Sequence, residues 1–288
     1  MKKKIIYPAA VCLAVLLLIS PVTVLASDSE QQVKALGEDK FTFLLIGQDE
    51  RPGVPGKRSD SMILCTFCPN EKKMILTSVL RDLYVKIPEY GYDRINTAYA
   101  VGGWDLLNKT LYENFGIQVD GNVEVDFERF IEIIDVLGGV TLELRSDEAR
   151  EINMEAQNED LTEGMQKLNG AQTLIYSRIR SLDPDGDFSR SQRQRKVLTA
   201  LLDQVRALKF TDYLPLLKKL LPAVKTDLSG FELLTYGKMI LPMLETMEVE
   251  SQRIPGPNGC RDEMIRGMEV LVPEYSVIKE QISNILKQ

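Results

Sequence analysis

The sequence predicts an α/β fold: a single three-layer domain with a central mixed sheet flanked by helices, preceded by an N-terminal export or anchor segment. Three observations carry this expectation. Phe41 to Gly47 is an almost unbroken apolar run, as in a strand covered on both faces. The stretches 105–115 and 126–137 read as helices and stop at Gly116 and at Gly138 with Gly139. Strand-length apolar runs alternate with them, and 288 residues, 44% of them hydrophobic, can build one substantial core.

The elements follow in chain order. Lys2, Lys3 and Lys4 precede an apolar run from Ile5 to Ile19, which is the pattern of an export signal. Val24 and Ala26 suit cleavage after Ala26, yet the run extended to Ala26 also meets the roughly 20 residues that a membrane anchor needs. Residues 1–26 are therefore a signal peptide or a signal anchor, and the rest works outside the cytoplasm, held at the outer face of the membrane or released by cleavage. Residues 27–39 read as a spacer, 40–208 as the core of the domain, and 209–288 as a mostly helical part of the same domain. Within the core, Met62 to Phe67 and Met74 to Val79 read as strands joined by a turn at 69–73, and Val140 to Leu144 as a further strand. Residues 146–165 are polar and helical or loop-like. Beyond Phe210, Pro215, Pro222, Pro242, Pro255 and Pro257 interrupt the helices, and Met239 to Met247 reads as core.

The charge pattern is uneven. The chain carries a net charge of -7, yet Arg178, Arg180, Arg190, Arg193 and Arg195 crowd one short stretch. Leu174 to Arg180 reads as a strand with Tyr176, Arg178 and Arg180 on one face. After the turn signal Asp183-Pro184-Asp185-Gly186, Asp187 reads as the N-cap of a helix reaching about Leu208. On that helix Arg190, Arg193 and Gln194 align with Val197 and Leu201 and so face inward, whereas Arg195 and Lys196 point elsewhere. Guanidinium forks near a helix N-terminus suit an anion, best a phosphate; the alternative is a solvated helix start whose arginines pair with Asp183, Asp185 and Asp187.

A second constellation sits where the first strand ends. Asp49 follows that strand and Asp60 precedes the next, with Pro52, Gly53, Pro55 and Gly56 folding the chain between them. Two carboxylates at a strand mouth suit a hard cation such as magnesium, which retains waters and phosphate oxygens. Several functions are excluded. The chain has no histidine, so Ser-His-Asp triads, Cys-His pairs and histidine metal sites are impossible. No nucleic-acid motif and no glycine-rich lysine loop for a nucleotide is present, and an exported acidic chain has no nucleic-acid partner. Cys65 and Cys68 lie three apart on a strand and face opposite ways, which disfavours a mutual disulfide; one involving Cys260 stays open.

Across Phe41 to Leu202 the chain resembles the LytR–CpsA–Psr family of cell-wall glycopolymer transferases. The resemblance rests on an ordered set of motifs. They are Gly47-Gln48-Asp49-Glu50-Arg51, Arg58-Ser59-Asp60-Ser61, Arg81-Asp82, Ile87-Pro88 with Gly91, and Arg94-Ile95-Asn96 with Tyr99, Gly102 and Gly103. Asp135 with Gly138-Gly139-Val140, Leu168-Asn169-Gly170 with Gln172, and the arginine stretch through Gln194 complete it. Leu80 departs from the family's usual proline. The resemblance implies transfer of a glycopolymer, with its phosphate, from a polyprenyl-pyrophosphate carrier to a peptidoglycan hydroxyl. It implies that Asp49 and Asp60 hold magnesium, that Arg58, Arg81, Arg178, Arg180 and Arg190 grip the pyrophosphate, and that Arg193 and Gln194 support them. Phosphoryl transfer relies on positioning and charge neutralisation, so arginines and a metal suffice without histidine. The base is Asp82 or a substrate phosphate oxygen. Two other classes compete: a non-catalytic binder of lipid-linked wall precursors, and a hydrolase that releases the carrier's phosphate to water.

Overall fold

Along β1 (Phe41–Asp49) alternate side chains enter two different cores: Phe43 and Leu45 pack on one face, Leu44 and Ile46 on the other. That is why the strand reads as continuously apolar. The computed structural model describes residues 40–49, 58–184, 186–208, 215–216 and 218–287; the side chains of Asp49, Arg58 and Asp60 and the N-terminal segment lie outside the described part.

The six-stranded main sheet has the order β10-β3-β2-β1-β6-β9, formed by β1, β2 (Arg58–Cys68), β3 (Lys73–Val79), β6 (Gly121–Val125), β9 (Lys225–Thr226) and β10 (Glu248–Ile254). It is mixed as expected: β1 with β6 and β3 with β10 are parallel, and the other pairs are antiparallel. Small hairpins β4 (Tyr84–Ile87) with β5 (Gly91–Arg94), β7 (Val140–Leu144) with β8 (Gly164–Leu168), and β11 (Cys260–Ile265) with β12 (Met268–Pro273) surround it. Helix α1 (Ile95–Phe115) and α7 (Tyr275–Lys287) cover the face that carries Leu44 and Ile46. The other face is covered by α2 (Phe127–Val136), α4 (Gly170–Arg178), α5 (Asp187–Arg206) and α6 (Gly230–Ile240), with α3 (Ser146–Ala156) beside them. The three layers of the sequence expectation are present.

Four expectations need correction. The segment Leu174 to Arg180 is not a strand; it belongs to α4 and the loop that follows. Asn169 accepts a hydrogen bond from the Gln172 amide (2.9 Å) while the Gln172 side chain accepts one from the Asn169 amide (3.0 Å), a reciprocal cap that starts a helix. Gly170 lets α4 approach α2 closely, since a Cβ there would lie 2.4 Å from the Ile131 carbonyl oxygen. With Gln172 through Ser177 all buried, the helix shows no polar face, and its sequence imitates a buried strand. Arg178 and Arg180 therefore do not share a sheet face.

The second correction concerns Asp187, which is the first residue of α5; Gly186 occupies the cap position. The third is Arg195, which is buried rather than turned outward, at 7% exposure. The fourth is the C-terminal part: the expected mostly helical stretch also contains β9, β10, β11 and β12, and β10 forms one edge of the main sheet. The run near Met243, Leu244 and Met247 is core, as expected. Cys65, Cys68 and Cys260 are free thiols, and burial pushes the Cys65 thiol well above its ordinary value.

Candidate active site at the carboxyl ends of the strands

The parallel strands β1, β3, β6 and β10 deliver their carboxyl ends to one side of the molecule, the place where open α/β sheets bind ligands. Arg81 and Asp82 follow β3, Arg180 follows α4, and Asp187 and Arg190 open α5. They meet there. A cleft of about 460 Å³ is lined by Arg81, Asp82, Arg94, Arg180, Asp187 and Phe188, with Asp262 and Glu269 of the β11–β12 hairpin on its other wall.

Asp187 is the hub of this cleft. Its carboxylate lies 3.3 Å from Arg81 Nε, 3.1 Å from Arg180 Nε and 2.8 Å from Arg190 Nη2. Three guanidiniums thus converge on one carboxylate, and forks shared in this way offer several donors to a further oxyanion. Asp82 sits beside them, 3.4 Å from Arg81 Nε and 3.2 Å from Arg94 Nη1. Arg94 was part of a motif but not a candidate in the sequence reading. It reaches the cleft because β5 pairs with β4 immediately after Asp82. Pairing of Arg180 and Arg190 with Asp187 was open to a local reading, whereas Arg81 comes from a distant segment that no spacing indicates.

Gln194 lies one turn further along α5 and accepts a hydrogen bond from the Ser61 hydroxyl (3.0 Å), tying the helix to β2. Ser61 adjoins an irregularity in the β1–β2 pairing: Gly47 faces Ser61, Gln48 faces Ser59, and Asp60 is the extra residue between. Asp49 is the register partner of Arg58 at the same end. The backbone thus brings Asp49, Arg58 and Asp60 together beside the foot of α5.

Two expected members do not join the cleft. Arg178 ends α4 with Nη1 4.0 Å from Glu155 and is absent from the cleft lining. Arg193 is buried in the fold: its Nε donates to Glu148 (2.8 Å), its Nη1 to the Ile179 carbonyl (3.0 Å) and its Nη2 to Asp183. The helical stripe that turned Arg193 inward was read correctly, but Glu148, Asp183 and the Ile179 carbonyl, not a ligand, take up its donors. Tyr176, expected on the arginine face, is fully buried, and burial followed by nearby Glu148 pushes its hydroxyl far above the usual tyrosine range.

Asp183 has a consequence for acid stability. Hydrogen bonds from Arg145 first, and from Arg193, hold its carboxyl below its ordinary value. A folded-state pKa below the unfolded one adds stability above the unfolded value of about 3.9, and this is lost as pH falls through the folded value. Urea unfolding measured between about pH 5 and pH 2 should therefore show a shallower pH slope for Asp183→Asn than for the parent chain. Identical slopes would remove Asp183 from the acid response.

Fold and cleft together define a class: an α/β domain whose charged centre, at the strands' carboxyl ends, is built for an oxyanion. The chain belongs to the LytR–CpsA–Psr family, whose model, LytR_cpsA_psr, matches residues 22–288. Biofilm regulatory protein A of Streptococcus mutans is 36% identical over 240 residues, covering 78% of this chain and 54% of that protein. The polyisoprenyl-teichoic acid–peptidoglycan teichoic acid transferase TagT of Bacillus subtilis is 38% identical over 190 residues, covering 62% of this chain and 58% of that protein. The chain spans about half the length of the curated relatives it matches. Among solved structures, TagT with bound octaprenyl pyrophosphate lipid aligns with a TM-score of 0.66 at 28% identity, over 92% of this chain and 95% of that one. TagT bound to LIIa-WTA aligns with a TM-score of 0.71 at 29% identity, over 92% and 93%.

Proposed function

We propose that this protein is a phosphotransferase that moves a glycopolymer, with its phosphate, from a polyprenyl-pyrophosphate carrier to a hydroxyl of peptidoglycan, outside the cytoplasm. The observation that carries this reading is the convergence of Arg81, Arg180 and Arg190 on Asp187 in the cleft. A pyrophosphate offers several anionic oxygens to such an arrangement, and the relatives named for teichoic acid transfer and the TagT lipid complex support the same substrate class.

In this reading Arg81, Arg180 and Arg190 bind the carrier's phosphates, Arg58 adds to them from the start of β2, and Gln194 holds α5 against β2. The acceptor hydroxyl attacks the phosphorus on the glycan side. A new P–O bond to peptidoglycan forms, the bond to the bridging oxygen breaks, and polyprenyl phosphate leaves. The hydroxyl proton passes to Asp82 or to a phosphate oxygen. The arginines favour the step because they face charge that spreads over the phosphoryl oxygens as the bonds exchange.

Asp49 and Asp60 fit magnesium by donor chemistry and by strand register, since two carboxylates at one end of a hairpin provide hard oxygen ligands and leave other positions to water and phosphate. Bound there, the metal would neutralise charge on the pyrophosphate. Asp49→Asn is expected to raise the magnesium concentration for half-maximal turnover about tenfold, the effect of losing roughly 1.4 kcal/mol of metal binding. An unchanged magnesium titration would remove Asp49 from the metal site. The N-terminal segment lies outside the described residues, so its part as signal or anchor is carried by its sequence alone; no helix among the described residues is long and apolar enough to cross a membrane.

The experiment supplies the full chain with a labelled polyprenyl-pyrophosphate glycan, magnesium and peptidoglycan fragments. Label joined to peptidoglycan, and lost with chelator, is the expected result. Release of label into water would replace transfer with hydrolysis, and binding without turnover would make the protein a carrier-binding scaffold.

A further inference from the structure

Next to the cleft, on the side of α5 that faces β10, lies a second cationic cluster with a different balance of charge. Arg195 is buried, yet its partners are all hydroxyls. Its Nε donates to Ser251 (2.6 Å), and its Nη1 donates to Ser78 (2.6 Å) and Ser191 (3.4 Å). Arg253 on β10 is the register partner of Ser78, and its guanidinium lies 3.9 Å from the ring of Phe188. Among the described residues neither arginine has a carboxylate partner. Arg253 makes one side-chain hydrogen bond, from Nε to the Pro255 carbonyl (3.3 Å).

This is an unusual way to bury a charge. A guanidinium removed from water is normally compensated by a carboxylate, and a second arginine beside it makes the cost larger. Burial, and then the neighbouring Arg253, pull the Arg195 pKa down to about 10, in keeping with two cations close together in a partly dry place. The hydroxyls of Ser78 and Ser251 accept from Arg195, and each keeps its own O–H to donate. Ser251 is exposed and Arg253 half-buried, so the cluster opens to solvent. The two cations and the two hydroxyls therefore lie beside an accessible face, and among the described residues no carboxylate neutralises them.

We propose that Arg195 and Arg253, with Ser78 and Ser251, form a second oxyanion subsite that takes a phosphate group. Resting on the transferase reading above, the occupant is a phosphate of the donor's glycan chain. Phe188 links the two sites, since it lines the cleft and its ring lies under Arg253. A donor whose pyrophosphate occupies the cleft would extend along α5 and β10 and place a backbone phosphate on this pair. The subsite then selects an anionic polymer over a neutral one.

Two measurements on the full chain test this. In the first, phenylglyoxal labels arginines, and peptide mass spectrometry follows Arg253. Inorganic phosphate should slow its modification about fivefold or more, while chloride at equal ionic strength should not. Equal rates in both salts would overturn the subsite. In the second, two prenyl-pyrophosphate disaccharides that differ by one glycerol phosphate unit are compared. The phosphorylated lipid should bind about tenfold tighter, and Arg253→Ala should erase that preference without changing affinity for the other lipid. Arg253→Gln, which keeps a side chain over Phe188, should behave the same way. A preference that survives both substitutions would overturn the proposal. Protection of Arg253 without any lipid preference would assign the subsite to free phosphate and overturn its role in donor choice. If neither lipid binds while phosphate still protects Arg253, the carrier reading fails and the subsite stands.

Discussion

Replacing Arg193 with alanine is expected to destabilise the domain by about 3–5 kcal/mol, the cost of leaving a buried carboxylate without its partner. Arg193 and Glu148 are both 3% exposed, and the Arg193 Nε lies 2.8 Å from Glu148 Oε1. The other Glu148 oxygen accepts from the Arg145 amide (3.0 Å) at the start of α3. Arg193 also holds the Ile179 carbonyl, one residue before Arg180. One side chain thus fastens α5 to α3 and to the loop that carries a cleft arginine. Urea unfolding should show a lower midpoint at unchanged slope, and Glu148→Leu added to Arg193→Met should recover part of the loss. A stability change below about 1 kcal/mol, the level of an exposed ion pair, together with lost carrier binding, would return Arg193 to the ligand-gripping role that its position on the helix first indicated.

The second large effect is on turnover. Arg81→Ala and Arg180→Ala should each lower the transfer rate about 10²–10³-fold, as removal of one preorganised donor to developing charge does elsewhere. Both side chains are partly exposed, at 19% and 41%, so thermal unfolding should move little. Lysine at either position should rescue poorly, because a point charge cannot reproduce the planar fork toward both Asp187 and a phosphate. Steady-state rates with purified lipid donor, beside unfolding curves for the same variants, separate the two effects. Full turnover in Arg81→Ala would exclude this cleft as the reaction centre.

Some of this was legible in the residues because the signal was local. The strand β1, the glycine stops after α1 and α2, and the inward stripe of Arg190, Arg193 and Gln194 each follow from near neighbours in the chain. What failed was non-local. A helix buried on all sides, such as α4, has no period to read, so Leu174 to Arg180 passed for a strand. Arg195 was set apart from the inward stripe by helical phase alone, but β10, distant in sequence, arrives to cover it. The clustering of arginines announced an anion site, yet the sequence could not divide them between ligand and fold. Arg193 went to Glu148 and Asp183 because those carboxylates come from α3 and from the turn before α5, distances that no spacing rule spans. Arg94 entered the cleft through hairpin pairing.

The parallel edge strand β10 carries a consequence for how the chain acquires its shape. Gln252 bonds Thr77 across a separation of 175 residues, and the hairpin after β10 reaches back so that the Leu271 amide donates to the Asp82 carbonyl. Until β10 docks, β3 therefore presents an open strand edge, a state prone to pairing with other chains. The wall of the cleft opposite Arg81 and Arg180 is formed by the same distant segment. A chain lacking β10 and the hairpin after it would keep most of its motifs and still have no finished cleft, so competence depends on a segment far from those motifs in sequence.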